Sequence, residues 1–370
     1  MLLDVLFVLS LIYLAQMVLF AAGAWFSRYP VDRSRRPSVS IVIAARDEEE
    51  NIGRCLESMC NLTYPQEKLE VLVVDDRSTD RTGKIVESFV GRPTTIRLIR
   101  AQPATGHLQG KANAVTQGLD VATGEVILFT DADCEVQPGW VEETVKYYNE
   151  SRVGLVAGFT ELRARGQFEK MQALDWFLLF SLAAAGIRLR HPFTAVGNNL
   201  SVTRGAYDAV GGYRSIPFSV TEDYALFHAV TSKGKLVARF PLDPSTLVFS
   251  RPCASWKQLY NQKKRWFAGG RDMEVSNFVF FGLSYLFKLL LFIGIPAMWA
   301  AGNWFPWLAS AIGDLVVLLP SLAAFRRWNL LSAFLFLEIY LAAYVVLFPP
   351  LVLAGSVVVW KDRSFRRRAQ

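Results

Sequence analysis

The sequence predicts an α/β protein built on a doubly wound, mostly parallel sheet, with apolar helices at both ends of the chain that are long enough to cross a membrane. Three observations carry this expectation. Between residues 38 and 135, short apolar runs alternate with helical patterns, as a parallel sheet with crossover helices requires. Three of those runs end in acids, at the strand ends where such sheets bind ligands. The 370-residue chain is 52% hydrophobic with a mean hydropathy of +0.24. That is too apolar for an ordinary soluble protein and too charged in its middle for a pure membrane bundle.

Leu2 to Ala24 is almost continuously apolar and spans a hydrocarbon core at about 1.5 Å per residue. A cleaved signal peptide is the rival reading, with 21–24 as its small-residue cleavage site. Against it, the segment opens with Asp4 and no Lys or Arg, and the positive charges Arg28, Arg33, Arg35 and Arg36 follow it. The positive-inside rule then makes 1–25 a retained anchor in a bacterial-type cell membrane and puts the next domain in the cytoplasm.

Ser38 to Ala45 reads as the first strand, with Arg46, Asp47 and Glu48 at its tip and a helix from Asn51 to Cys60. Glu70 to Asp76 is a second strand ending in the pair Asp75 and Asp76. Residues 77–80 then supply an N-cap for a helix from about Arg81 to Val90. Ile96 to Ile99 is a short third strand, and Gly110-Lys111 opens another helix. Val126 to Thr130 is the fourth strand, bounded by Gly124 and by Asp131 and Asp133. No G-x-G-x-x-G follows the first strand, which disfavours a dinucleotide site. Each acidic tip alone has a plain reading as a cap or turn. Converging on one sheet edge, they carry a charge that is costly unless a cation, or donors such as Arg46 and Lys111, offset it. Two carboxylates at i, i+2 suit a hard divalent cation that shares its oxygen ligands with substrate phosphates.

Val153 to Gly158 reads as another strand. Trp176 to Ile187 is an uncharged run of a dozen residues, too short to span. It is a core helix or, as Arg188 and Arg190 suggest, an interfacial one. Gly197 to Asn199 reads as a loop. Thr221-Glu222-Asp223 opens a helix to about Val230, with Thr221 as a plain N-cap in the simplest reading. Ser255 to Phe267 reads as a helix placing Gln262, Arg265 and Trp266 on one face. An amide, a guanidinium and an indole there can hold a diphosphate and stack on a sugar or base. A basic amphipathic helix on a membrane is the competing account.

From 277 to 360 the composition is that of a membrane region: 278–301 can span, 304–320 is at the lower limit, and 330–360 is long for one crossing. A single crossing there would place the basic tail 361–370 outside, against the positive-inside rule. A hairpin broken at Pro349-Pro350 is expected to return it to the cytoplasm. The net charge of +7 clusters beside apolar spans, so nucleic-acid binding is not expected. Four cysteines without zinc-site spacing and only three histidines argue against structural zinc or a disulfide framework.

The motifs 45–51, 75–80, 110–113, 131–133 and 221–223, with Gln262-x-x-Arg265-Trp266, together resemble the family 2 glycosyltransferases over roughly residues 38 to 270. The resemblance implies a cytoplasmic GT-A nucleotide-diphospho-sugar transferase fold in that stretch. The membrane layout resembles the ceramide glucosyltransferase and hopanoid- or carotenoid-associated branch. One departure is Asp47, where many members carry Asn. By resemblance, Asp76 with Asp75 binds the nucleotide, and Arg46 and Glu48 line that pocket. Asp131 and Asp133 sit at the ribose and at a Mg2+ or Mn2+ ion, and Asp223 is the general base with Glu222 as the next candidate. Gln262, Arg265 and Trp266 close over the diphosphate and the acceptor side. The implied activity is inverting transfer of one sugar from a nucleotide sugar, with UDP the expected nucleotide, to a membrane lipid hydroxyl. A processive polysaccharide synthase shares the Q-x-x-R-W signature, and a non-catalytic nucleotide-binding membrane scaffold is the reading from another class.

Overall fold

The computed structural model describes the chain except for residues 93, 105, 271–274, 355–356, 361–362 and 367–370. In chain order its elements begin with α1 (Leu2–Trp25), β1 (Val39–Ala45), α2 (Ile52–Cys60), β2 (Leu69–Asp75), α3 (Thr82–Glu87), β3 (Thr95–Arg100), α4 (Gly110–Val121) and β4 (Val126–Asp131). There follow β5 (Glu135–Val136), α5 (Trp140–Val145), β6 (Val153–Ala157), β7 (Thr160–Leu162), α6 (Gln167–Arg188), β8 (Leu200–Thr203), α7 (Arg204–Ala209), α8 (Gly212–Ser215) and α9 (Glu222–His228). The chain continues through β9 (Val237–Arg239), β10 (Val248–Ser250), α10 (Trp256–Gly270), α11 (Val275–Ile293), α12 (Ile295–Ala301), α13 (Phe305–Phe325), α14 (Phe334–Ala354), β11 (Val357–Trp360) and β12 (Arg363–Arg366).

These elements form two compact units. One comprises Arg28–Glu161 and Thr194–Arg251; the other comprises Met1–Ser27, Leu162–Phe193 and Pro252–Gln370. The sequence reading drew a single catalytic stretch over 38–270, whereas residues 162–193 and 252–270 group with the terminal helices.

In the first unit, seven strands lie in the order β3-β2-β1-β4-β8-β6-β9. β1 pairs in parallel with both β2 and β4, and β2 with β3. Continuous runs such as Ile41–Ile43 and Val71–Val74 are fully buried, as strands covered on both faces should be. Helix α2 covers one face with Ile52, Cys55, Leu56 and Met59. The register sets Ala45 beside Asp75 and Ala44 beside Asp131, so the acidic ends of β1, β2 and β4 finish level. Strand β8 enters antiparallel between β4 and β6; its four residues alternate apolar and polar over too short a run to mark a strand. A small sheet, β5-β10-β7, completes the unit. The helix expected over 81–90 is shortened to Thr82–Glu87. Its cap position is Arg81 rather than a residue of 77–80, and Asp80 just before it accepts at Oδ1 from the Thr82 amide at 2.9 Å.

In the second unit, helix α6 is ten residues longer than the apolar run that marked it, and Met171 to Ile187 are buried except for Leu179 and Leu182, which are half-buried. The interfacial placement expected for this helix therefore gives way to a core one: it packs on α1 and α13. Asp175 accepts a hydrogen bond from Lys263 of α10, and both side chains are buried. Gln172 brackets the Cys253 backbone just before α10, at 3.0 Å and 2.8 Å. Lys288 of α11 donates to Ser310 at 2.7 Å and to Asp314 of α13, which also accepts from Tyr13 of α1. These charges, Lys263 with Asp175 and Lys288 with Asp314, are thus paired, as a low-dielectric setting favours.

Three helical segments among the described residues are long and apolar enough to cross a membrane: Leu2–Trp25, Phe305–Phe325 and Trp328–Val346. The number is four if Gly282–Ile293 and Ile295–Ala301, bent by 60°, are one broken span. The break expected at Pro349-Pro350 does not occur, because α14 runs on to Ala354 and a β11–β12 hairpin follows. The interruption lies instead at Gly294, where a proline sits in the first turn of α12 and its ring cannot continue the preceding helix. Much of the basic tail 361–370 lies outside the described residues.

Candidate active site

The tips of β1 and β2 are clasped together by hydrogen bonds. The Asp47 amide donates to Ser78 Oγ at 3.0 Å, the Glu48 amide to Thr82 Oγ1 at 2.7 Å and the Glu49 amide to Asp80 Oδ2 at 3.0 Å. In return, Asp47 Oδ1 accepts from the Thr79 amide at 2.7 Å. Asp47 has φ of 48°, a left-handed conformation that Asp and Asn tolerate best. The position asks for a short acceptor that tolerates left-handed backbone, which aspartate supplies.

Arg46 donates from Nη1 to the Asp76 carbonyl at 3.0 Å, while its Nε is buried with no hydrogen-bond partner among the described residues. That Nε lies 3.6 Å from Asp47 Oδ2, an ion-pair contact too long for a hydrogen bond, so a ligand oxygen could still complete it. Asp75 and Asp76 are both buried. Asp75 is engaged within its own loop, accepting from the Ser78 amide at 2.9 Å and lying 3.8 Å from Arg100. Glu48 accepts from Asn51 Nδ2 at 2.7 Å.

Asp131 ends β4, and the turn after it carries Asp133. Lys111, in the first turn of α4, donates to Asp131 Oδ1 at 2.6 Å and reaches Glu222 Oε1 at 3.0 Å. Burial works against the Lys111 ammonium, but Asp131, Glu222 and Asp223 around it prevail and raise its pKa, so it stays charged. Burial pushes Asp133 up to about 6, and the charges of Asp131 and Glu48 add to this, against a hydrogen bond from Cys134 and the charge of Lys111. The tips of β1 and β4 therefore do converge electrostatically. Among the described residues no cluster of three or more His, Cys, Asp or Glu is arranged to hold a metal ion. Asp131 and Asp133 are a fitting hard-oxygen pair for an ion whose other ligands come from water and a diphosphate.

Glu222 and Asp223 open α9, and the Thr221 side chain makes no capping bond, so the plain N-cap reading of Thr221 falls. Asp223 Oδ2 accepts from the Gly197 amide at 2.7 Å and Oδ1 from the Tyr224 amide at 2.8 Å. A helix N-terminus favours a charged carboxylate, yet here burial and the Glu222 charge outweigh that, together with Lys111 and the two amides, and push Asp223 up to about 6. It remains mostly ionised at neutral pH, poised where a general base works best. Val42, Phe129 and Leu200 line a cavity together with Lys111, Gly197, Glu222 and Asp223.

The structure thus gathers Lys111, Asp131, Asp133, Glu222 and Asp223, with Arg46, Glu48, Asp75 and Asp76 on the neighbouring strand tips. Gln262, Arg265 and Trp266 lie on α10 in the other unit. There, Trp266 packs on Trp176 with ring centroids 5.6 Å apart, and the Lys263 ammonium sits 4.4 Å from the Trp266 ring centre. Gly197 escaped the sequence reading beyond its place in a loop. Its signal is the Gly-Asn-Asn string, whose meaning depends on the tertiary approach of Asp223.

The sheet and its acidic strand tips are those of the GT-A fold. The model of the family described as glycosyl transferase family 2 matches residues 40–224, half of the chain, and the chain belongs to that family. It is 28% identical over 375 residues to a probable glycosyltransferase, YdaM, of Bacillus subtilis, covering 90% of this chain and 86% of that one. It is 30% identical over 244 residues to a beta-monoglucosyldiacylglycerol synthase of Nostoc, covering 63% of this chain and 49% of the relative. The chain therefore spans about half the length of that synthase. Among solved structures it is similar to the mannosyltransferase PcManGT of Pyrobaculum calidifontis in complex with GDP-Man and Mn2+, with a TM-score of 0.60, 20% identity and coverage of 93% and 99%. At that identity the likeness is one of fold.

Proposed function

We propose that the chain moves one sugar from a nucleotide sugar, UDP-linked in the reading drawn from its motifs, to a hydroxyl of a membrane lipid, with inversion at the anomeric carbon. The observation that carries the reading is the buried Asp223 carboxylate, with a pKa of about 6, on one cavity with Lys111, which also holds Asp131. A base and an acidic pair for the metal and diphosphate, with one ammonium bound to Asp131 and Glu222 nearby, are parts that suit direct displacement. The lipid acceptor is supported by the apolar helices and by the name of the Nostoc relative.

Asp131 and Asp133 would hold Mg2+ or Mn2+, which when bound offsets the charge of the leaving diphosphate. Arg46, Glu48 and Asp76 would line the nucleotide side, with Asp75 holding the loop. Lys111 would hold Asp131 and Glu222 together in the donor-free state by offsetting their repulsion, and offer its ammonium to the diphosphate. Asp223 would take the acceptor hydroxyl proton as the glycosidic bond forms, with Glu222 beside it held by Lys111. No covalent nucleophile is needed when attack comes from the face opposite the leaving group. The motif resemblance assigns Gln262, Arg265 and Trp266 to the diphosphate and acceptor side.

For topology, 1–25 would be the anchor and the sheet unit would lie in the cytoplasm, since arginines follow α1. With the bent pair at Gly294 dipping in and returning, the two later spans bring the basic tail back to the cytoplasm, as its charge asks. Membranes carrying the protein, incubated with labelled UDP-glucose, UDP-galactose or GDP-mannose and lipid extract, should yield a lipid bearing one sugar. A long polymer would favour a processive synthase, and no product with any donor would favour a scaffold.

A further inference from the structure

We infer that the turn Gly197–Asn199 is the positioning element that fixes the Asp223 carboxylate relative to the acidic end of β4. The inference rests on the reading of Asp223 as the base.

The turn is held on every side. Thr130, the residue before Asp131, donates from Oγ1 to the Asn198 carbonyl at 3.0 Å. Thr160 donates to Asn198 Oδ1 at 3.0 Å. Asn199 accepts from Trp140 Nε1 at 3.1 Å and donates from Nδ2 to the carbonyls of Phe159 and Thr246 at 2.7 Å and 2.9 Å. Both asparagines are buried, and a buried polar network with its groups satisfied is rigid. From this frame the Gly197 amide projects its donor onto Asp223 Oδ2 at 2.7 Å.

Glycine is required there by space. A Cβ on residue 197 would stand 2.8 Å from Asp223 Cβ and 3.2 Å from Oδ2, so any side chain would push the carboxylate away. The hydrogen-bonded path from β4 to the carboxylate thus runs Thr130, Asn198, Gly197, Asp223. The Gly197 and Tyr224 amides take one lone pair on each carboxylate oxygen, leaving the others for a proton. A carboxylate anchored from both sides is already oriented before substrate arrives, and misplacement by about 1 Å costs about 10²-fold in rate.

The test uses the full-length protein in detergent, with UDP-glucose as donor, total membrane lipid extract as acceptor, and calorimetric titration with UDP and Mn2+ for the nucleotide site. Gly197→Ala should lower turnover about 10²-fold while UDP affinity stays near that of the wild type; the close Cβ contact with Asp223 should lower the unfolding temperature. Thr130→Val, close to isosteric and lacking the hydroxyl, should lower turnover by about tenfold, a smaller misplacement. Thr130→Ser, which restores the hydroxyl, should recover most of it. Should Gly197→Ala fail to fold, the Thr130 pair decides. Wild-type turnover in folded Gly197→Ala or Thr130→Val overturns the inference, as does a parallel loss of UDP affinity. Asp223→Asn, assayed beside them, separates the two levels: if it turns over normally the base assignment has failed, whereas if it alone is slow the positioning role has failed.

Discussion

Lys111 Nζ donates to Asp131 Oδ1 at 2.6 Å, tying the first turn of α4 to the acidic end of β4. The same ammonium reaches Glu222 at 3.0 Å, so a single cation sits among the carboxylates of two motifs far apart in sequence. It lowers the pKa of both Asp133 and Asp223 against the burial and like charge that raise them.

Removing that cation has a signed consequence. As the proposed base, Asp223 would work as its carboxylate, so wild-type turnover should fall as pH drops through about 6. Lys111→Met removes a charge that favours the ionised form, so the Asp223 pKa rises and the acid limb moves to higher pH. Profiles of turnover from about pH 5 to 8 will show this. An unshifted limb would mean that Lys111 does not govern the base.

Metal dependence follows from the paired carboxylates of β4. Asp133→Ala should abolish transfer, as should EDTA on the wild type, with Mn2+ or Mg2+ restoring the latter. Because a proton competes for Asp133, with its pKa of about 6, more metal should be needed as pH falls below that value. Full turnover in EDTA would remove the ion from the account.

The buried pair Lys263–Asp175 gives a stability prediction. Lys263→Met leaves Asp175 buried without its partner and should destabilise by about 3–5 kcal/mol. The double variant Lys263→Met, Asp175→Leu leaves no charge and should be near wild type or above it. Unfolding of the detergent-solubilised protein checks both; equal losses in the single and double variants would show that lost packing, not stranded charge, is the cause.

The strands were legible because they are uninterrupted. The expected runs 38–45, 70–76 and 126–130 compare with observed strands at 39–45, 69–75 and 126–131. Each is a β-branched-rich segment closed by acids, so apolar run and polar tip mark the same boundary. Strand β8 was not legible because its Leu-Ser-Val-Thr alternation is only four residues long and follows directly on a Gly-Asn-Asn turn. Helix α6 showed why a dozen apolar residues cannot choose between a membrane surface and a core: only the helices packed on it decide. Prolines at 296 and at 349–350 send the same local signal, yet only the first coincides with a break. The acids of the site were readable as types, but the links Lys111–Glu222 and Gly197–Asp223 join residues 111 and 26 positions apart, and such links exist only once the chain has folded.

Topology can be measured directly. Reporters placed after Ala24 and after Gln370 should both report the cytoplasm if the bent pair at Gly294 re-enters without crossing. A reporter after Gly302 should then also be cytoplasmic. Activity of the Gln370 fusion only on the far side would make the bent pair a full span.

The central claim is that the acids divide into those that hold the donor and one that takes a proton, and Asp223→Asn tests it most directly. The variant keeps the shape and removes the basic oxygen; its Oδ1 can accept from only one of the two amides, of Gly197 and Tyr224, that now hold the carboxylate. Calorimetry with the nucleotide sugar and Mn2+, run beside turnover, separates binding from chemistry. The account predicts donor affinity close to wild type with turnover lowered by about 10²-fold or more, and the reverse pattern, weakened binding as the main defect, for Asp76→Ala. Normal turnover in Asp223→Asn would contradict it and pass the role of base to Glu222.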